Sequence, residues 1–219
     1  MSSVSREYIQ DYIRANIKPS EGVLRDMEKY ALENKIPIIQ PEVAQLLKVL
    51  IRGFCSAKIL EVGTAIGYSA IVMAVAAGEN SRVVSVEIDP DMIKRARVYI
   101  QKSGLNKNIM VIQGDARLAL KELEGRFDFV FIDGAKGHYG EMFDTILEAV
   151  VPGGVVVCDN VLFRGMVASD SLVKRRKITI VKRMRKFLEY ITQHPQLDTA
   201  VVPIGDGISV SCKRGTEDE

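Results

Sequence analysis

At 219 residues the chain is long enough to bury a real core and short enough to read as one domain. Thirty basic residues against 28 acidic ones leave a formal net charge of +2. That balance excludes a global polyelectrolyte, so any charge signal has to be local. Cys55, Cys158 and Cys212 show no paired spacing and read as reduced thiols, not as a disulfide frame or a zinc site. The N-terminus lacks the apolar core of a signal peptide, and no apolar run is long enough to span a membrane, so a cytoplasmic protein is expected.

Two amphipathic helices are predicted within residues 3–35. Tyr8, Ile9, Tyr12, Ile13 and Ile17 form the apolar stripe of the first; Val23, Leu24, Met27, Tyr30 and Ala31 form that of the second. Pro19-Ser20 separates them, with Ser20 as the expected N-cap. Pro37 and Pro41 keep Ile36–Gln40 extended, and a third helix is predicted from Pro41 to about Phe54. These helices, residues 1–57, precede the first strand and must cover a sheet face, a site mouth or a partner subunit. The stripes are expected to serve a homodimer; helices folded back onto the sheet of a monomer are the competing reading.

From residue 58 to the end strands and helices alternate. Strand 59–62 leads through Gly63-Thr64-Ala65-Ile66-Gly67 to helix 68–77, and strand 82–87 leads to helix 91–103. Asp89-Pro90 gives that helix its N-cap and first residue, and Gly104 stands at the C′ position. Strand 109–113, helix 116–122, strand 127–132, helix 139–150 and strand 154–158 follow. Such alternation predicts a doubly wound, mostly parallel α/β sheet, in which ligands bind beyond the carboxyl ends of the strands. A helix is predicted from about Ser171 to Gln193. Two β-rich runs around Gly205-Asp206-Gly207 then read as a hairpin, which makes the last strand antiparallel.

Glycines after the first strand allow close backbone approach to a ligand, and an acid, Glu87, closes the second strand where a ribose-binding carboxylate belongs. Asp133 and Asp159 close the fourth and fifth strands. A single strand-end Asp is ordinarily a turn or a cap. Asp133, Asp159 and Asn160 together are three hard oxygen donors along one sheet edge, a set suited to Mg²⁺ or a similar divalent ion. Lys136, in the loop after Asp133, reads either as a solvated lysine or as a general base or cation beside a developing oxyanion. His138 ranks below it, as a cap or loop contact. Asp115 caps the next helix, holds an adenine amino group, or does both.

These residues match a family. Glu61-x-Gly63-x-x-x-Gly67 resembles motif I of the class I S-adenosylmethionine-dependent methyltransferases, with Ala65 in place of the middle glycine. Gly67-Tyr68-Ser69, Asp133-x-x-Lys136, Asp159-Asn160 and Gly205-Asp206-Gly207 resemble the metal-dependent catechol and caffeoyl-CoA O-methyltransferases. The resemblance implies a Rossmann-like, seven-stranded sheet with the last strand antiparallel. It also implies an S-adenosylmethionine site at Ile39, Gly63, Thr64, Ala65, Gly67, Tyr68, Ser69, Glu87, Asp115, Ala116 and Asp133. Asp133, Asp159 and Asn160 would hold Mg²⁺, with Lys136 as catalytic base beside Asp133.

Within that family the chain is most similar to the bacterial tRNA 5-hydroxyuridine methyltransferases. The features behind this are Ile36–Ile39 and residues 174–186, which hold eight basic residues and no acid. Read as one helix, this segment places Arg175, Lys182 and Lys186 on one face with Arg176 and Arg183 beside them. Arg164 adds to the same cation set. A solvated charged face is the ordinary reading of such a run; local excess is also what a phosphate backbone requires. The expected activity is O-methylation of 5-hydroxyuridine at the tRNA wobble position. Its alternative is the same chemistry on a small catechol-type or caffeoyl-CoA-like molecule. An NAD-dependent oxidoreductase fits Ala65, the Asp-Asn pair and the hairpin poorly, and an idle RNA-binding module would not need Asp133, Lys136, Asp159 and Asn160.

Overall fold

The computed structural model describes residues 4–123, 125–135 and 137–215. Short apolar runs form the centre of the sheet: β1 (Lys58–Val62), β2 (Arg82–Glu87), β3 (Ile109–Gln113), β4 (Phe127–Ile132) and β5 (Val150–Cys158). With β6 (Leu197–Val202) and β7 (Ile208–Lys213) they make one seven-stranded sheet, ordered β3-β2-β1-β4-β5-β7-β6. Only β7 pairs antiparallel, with β5 on one side and β6 on the other, as the Gly205–Gly207 turn requires.

Alternate strand residues feed two separate cores. Ile59, Phe129, Phe131, Val155 and Val157 pack beneath α2 (Gly22–Asn34), α3 (Pro41–Gly53), α4 (Tyr68–Ala77) and α5 (Pro90–Lys102). Leu60, Val130, Ile132, Val156 and Cys158 pack on the other face, beneath α6 (Ala116–Glu122), α7 (Tyr139–Ala149) and α8 (Ile178–Thr192). A strand buried on both faces must be apolar throughout, which is why β4 reads Phe-Asp-Phe-Val-Phe-Ile. Among the described residues no helix is long and apolar enough to cross a membrane.

Four local expectations are corrected. Ser20 does not cap α2; its hydroxyl donates to Glu28 Oε1 at 2.7 Å, and Glu21 takes the cap position without a side-chain bond. β5 starts at Val150, not 154, because a register shift between Phe127 and Phe129 absorbs Pro152-Gly153 within the pairing. The C-terminal helix starts at Ile178. Asp170–Leu172 and Arg175–Lys177 are separate 3₁₀ turns, with Val173 and Lys174 extended between them. Arg185 pins that connection by donating to Met166 and Val167 carbonyls at 3.2 and 2.9 Å and pairing with Asp170 at 2.8 Å. Arg175 therefore stands off the helix that carries Lys182 and Lys186.

The first helix, α1 (Glu7–Ala15), buries no residue. Its hold on the body is polar: Arg14 grips Glu42, which is 3% exposed, through bonds of 2.9 and 2.7 Å, and reaches Gln40 at 3.0 Å. Tyr8, Ile9, Tyr12 and Ile13 face outward.

Candidate active site

Four strand ends, those of β2, β1, β4 and β5, stand side by side at one edge of the sheet. Their loops are tied together by main chain. Gly63 N–H donates to Val86 O at 2.9 Å, and Asp133 and Gly134 N–H both donate to Val62 O at 2.9 and 2.8 Å. Gly63 sits at φ +100, and a Cβ there would stand 2.6 Å from Gly134 N, so the two loops cross with no room for a side chain. Of the seven non-glycine residues with positive φ among the described ones, Ala65, Ala135, Asn160, Phe163 and Arg164 lie in loops at this edge. Strain held in one region marks a site whose geometry the rest of the fold enforces.

Glu87 spans two loops. Its Oε2 accepts from Ala65 N–H at 2.8 Å, and its Oε1 accepts from Ile88 and Asp89 N–H at 2.9 and 3.0 Å. Asp89 caps α5 as expected. Asp115 caps α6 through Arg117 N–H and also pairs with the Arg117 guanidinium at 2.6 Å, which holds its carboxyl down at about 2. Ala116 follows, nearly buried. Thr64, Tyr68 and Ile39 are spoken for internally. Thr64 Oγ1 meets Ser85 Oγ at 2.5 Å, Tyr68 O–H donates to Glu28 at 2.5 Å, and Ile39 belongs to the α2/α3 core. Any ligand contact at Thr64 or Tyr68 would fall to the main chain. Ser69, 6% exposed, faces Glu61 at the start of α4, where Gly67 supplies the left-handed N-cap.

Glu61 is a feature whose role the motif alone did not reveal. It is fully buried, bonded by Ser85 Oγ on Oε2, while Oε1 has no hydrogen-bond partner among the described residues. Burial raises its carboxyl to about 7, Ser69 and Ser85 oppose the rise, and Asp133 and Glu87 add to it. An acid that binds its proton more tightly when folded stabilises the fold fully below its unfolded pKa, and that contribution is lost as pH rises through the folded value. The apo protein is therefore expected to lose up to a few kcal/mol between about pH 4.3 and 7 through this group. Glu61→Gln should flatten that limb in urea titrations run from pH 5 to 8.5. An unchanged slope in the variant would remove Glu61 as its source.

β4 and β5 pair with Ile132 opposite Cys158, and Asp159 N–H donates to Ile132 O at 2.9 Å. The next residues, Asp133 and Asp159-Asn160, thus emerge together. Tyr139, 2% exposed, fixes the junction by donating to both Ile132 O and Asp159 O, at 3.2 and 3.0 Å. A tyrosine opening an apolar helix gives no sequence sign of this role. Asp159 Oδ1 accepts from Asn160 N–H at 2.5 Å, in the turn that gives Asn160 its φ of +59. Among the described residues no group of three or more His, Cys, Asp or Glu is placed to hold a metal ion, so a cation here would rely on two carboxylates, the Asn160 amide and outside oxygens. Lys136, expected as the base, lies outside the described residues.

The terminal hairpin reaches this edge. Val161 N–H donates to Gly207 O, Leu162 N–H to Asp206 O, and Arg164 N–H to Asp206 Oδ1. A Cβ on Gly207 would strike Leu162. His138 occupies the α7 N-cap position without a side-chain cap bond; its Nδ1 meets Glu141 at 2.8 Å instead. Arg183 donates to Gly137 O at 2.9 Å and lies 3.8 Å from Glu141, so α8 touches the loop after Asp133. Arg164, Arg175, Arg176, Lys182 and Lys186 are exposed, and the side chains of Arg175, Arg176, Lys182 and Lys186 make no ion pair with a described residue.

Comparison with known proteins agrees with this architecture. Tricin synthase 2 from Oryza sativa subsp. japonica is 32% identical over 182 residues, covering 80% of this chain; the chain spans only 62% of that protein's length. A caffeoyl-CoA O-methyltransferase from Stellaria longipes is 29% identical over 80% of this chain and 75% of its own. An O-methyltransferase structure from Bacillus cereus, solved in complex with SAH, superposes with a TM-score of 0.83 at 26% identity, over 94% of this chain and 97% of that one. The O-methyltransferase family model itself matches residues 17–214, a span that takes in every strand and every strand-end loop described above, and the chain belongs to that family.

Proposed function

We propose that this protein transfers the methyl group of S-adenosylmethionine to a hydroxyl oxygen with the help of a divalent metal ion, and that the hydroxyl belongs to 5-hydroxyuridine in a tRNA anticodon loop. The Bacillus cereus O-methyltransferase structure solved with SAH supports the methyl donor. Gly63, Ala65, Ser69, Glu87 and Asp115 surround the edge where it would lie, with Glu87 toward the ribose and Asp115-Ala116 toward the adenine. Asp133, Asp159 and Asn160 would hold the cation, which when bound supplies positive charge that favours an ionised hydroxyl. Tyr139 and the Asp206 turn keep those ligands in place. Lys136, by its position in sequence, is the candidate for taking the hydroxyl proton.

One observation carries the RNA half of the proposal: Arg175, Arg176, Lys182 and Lys186 are exposed and make no ion pair with a described residue, and Arg183, on the helix of Lys182 and Lys186, bonds the loop that leads to Asp133. A phosphate backbone is the partner such a surface favours. A target base must be unstacked to reach the metal, as in an anticodon loop. The second reading is a phenolic substrate carried on coenzyme A, favoured by the name of the Stellaria longipes relative; coenzyme A also brings phosphates.

Labelled S-adenosylmethionine with Mg²⁺, offered hydroxyuridine-containing tRNA or caffeoyl-CoA in parallel, separates the two. Labelled tRNA is expected, with KM rising steeply as salt rises. Arg175→Glu, Lys182→Glu and Lys186→Glu combined should raise KM for tRNA at least about tenfold and leave S-adenosylhomocysteine binding alone. Rapid caffeoyl-CoA methylation with inert tRNA would transfer the proposal to the small substrate.

A further inference from the structure

A groove runs between α7 and α8, away from the strand ends but starting at the same loop. One cavity of about 300 Å³ opens at Gly137, four residues past Asp133, and a second of about 380 Å³ continues it toward His194 and Pro195. Lys186 and Tyr190, one helical turn apart, line both. Phe187, 3% exposed, belongs to the floor of the first. Tyr190 is 40% exposed, and its hydroxyl is fixed by donation to Asp144 Oδ1 at 2.5 Å. Its ring stands nearly perpendicular to Phe143 and His194, with centroids at 6.3 and 5.2 Å. Arg183 and Lys186 bring cations to the same wall. Two acids share the groove: Asp144 holds the Tyr190 hydroxyl, and Glu141 is held by His138 at 2.8 Å and approached by Arg183 and Arg117, which draws its carboxyl below the usual range.

A fixed aromatic ring, two cations and an anchored acceptor form a site with three distinct demands. A simple phenol meets the aromatic demand but brings no phosphate. A nucleotide meets all three, with a π-face, an anionic phosphate and donors on the base edge. We infer that the α7–α8 groove is a subsite for one nucleotide unit of the substrate, with its phosphate against Arg183 and Lys186 and its base against Tyr190. The assignment rests on the proposed function for the position of the reacting group, and it adds a substrate contact at Tyr190. The nucleotide has two sources, a neighbour of the target base in RNA or the adenosine phosphate end of coenzyme A.

The test uses the full chain and reads equilibrium binding by anisotropy. Two probes are used: a labelled anticodon stem-loop RNA containing 5-hydroxyuridine, and coenzyme A competing against it or titrated by calorimetry. Wild type, Tyr190→Ala and Tyr190→Phe are compared, with S-adenosylhomocysteine affinity and thermal melting as controls. Tyr190→Ala is expected to weaken RNA binding roughly tenfold, the scale of one lost base–aromatic stack. Tyr190→Phe keeps the ring and should stay within about threefold of wild type. If wild type binds and methylates the RNA and Tyr190→Ala binds it equally well, the subsite is wrong and the RNA reading stands. If wild type ignores the RNA while coenzyme A binding falls in Tyr190→Ala, the subsite stands with coenzyme A as its source and the RNA reading falls. If Tyr190→Ala alters neither ligand, or if Tyr190→Phe loses as much as Tyr190→Ala, the inference is overturned.

Discussion

Gly63→Ala should lower stability by about 2–4 kcal/mol and destroy cofactor binding. Two costs combine at this position. The backbone sits at φ +100, which an L-residue rarely adopts, and this alone costs about 1–3 kcal/mol. The added Cβ would also lie 2.6 Å from Gly134 N and 2.8 Å from Gly134 Cα. Those atoms are main chain, held by the Gly134 N–H bond to Val62 O at 2.8 Å, so they cannot swing aside as a side-chain tip does. Either β1 and β4 separate at their ends or the loops part, and both outcomes open the edge that carries Glu87 and Asp133. Gly78→Ala is the control. Gly78 has φ +88 but nothing within 4 Å of its virtual Cβ, so it carries the conformational cost without the collision. Urea midpoints for the two variants, read at equal m-value, isolate the close approach. If Gly63→Ala lost no more than Gly78→Ala, the crossing of the two loops would not be what demands glycine there.

How much of this was legible in the sequence depends on whether neighbours along the chain or across space decide each feature. β1 to β4 and helices α4 to α7 were readable within a residue or two, because short apolar runs, Asp89-Pro90 and Gly104 are local signals. Asp133 meeting Asp159-Asn160 was readable because parallel winding forces all strand ends to one edge. The start of α8 was not. Residues 171–177 carry no proline or glycine to break a helix, and the break follows from Arg185 reaching back to Met166, Val167 and Asp170. The extra length of β5 was hidden likewise, since Pro152-Gly153 reads as a turn until a register shift opposite Phe127–Phe129 makes room for it. The direction of Thr64 and Tyr68 was beyond a motif, which fixes spacing but not whether a hydroxyl turns toward a ligand or toward Ser85 and Glu28. Tyr139 and Asp206 hold the site through hydrogen-bond partners 7 to 44 residues away.

Asp159→Ala should abolish turnover, by at least about a hundredfold, while the fold remains. The position explains both halves of that expectation. Asp159 follows the last residue of β5, so its side chain takes no place in either core; the strand below it is held by Cys158 pairing with Ile132 and Ser209. Its main-chain N–H bond to Ile132 O and the Tyr139 bond to its carbonyl do not involve the carboxylate, which is 4% exposed and accepts from Asn160 N–H at 2.5 Å, so the substitution loosens the Asn160 turn locally and leaves the strand pairing. What the substitution removes is one of two carboxylates at adjacent strand ends, the pair on which a hard cation would depend. Ligand binding to the native state raises stability by RT ln(1 + [L]/Kd), about 2.7 kcal/mol at a hundredfold excess over Kd. Wild type should therefore melt higher with saturating Mg²⁺ than with chelator, and Asp159→Ala and Asp159→Asn should show neither that shift nor turnover. The isosteric Asn variant matters because it keeps the shape and an oxygen while removing the charge. Turnover that persists in excess chelator, or a Mg²⁺-dependent melting shift as large in Asp159→Ala as in wild type, would refute a cation held at this edge. A lost shift with retained turnover would separate metal binding from catalysis and leave proton removal to the protein's own groups.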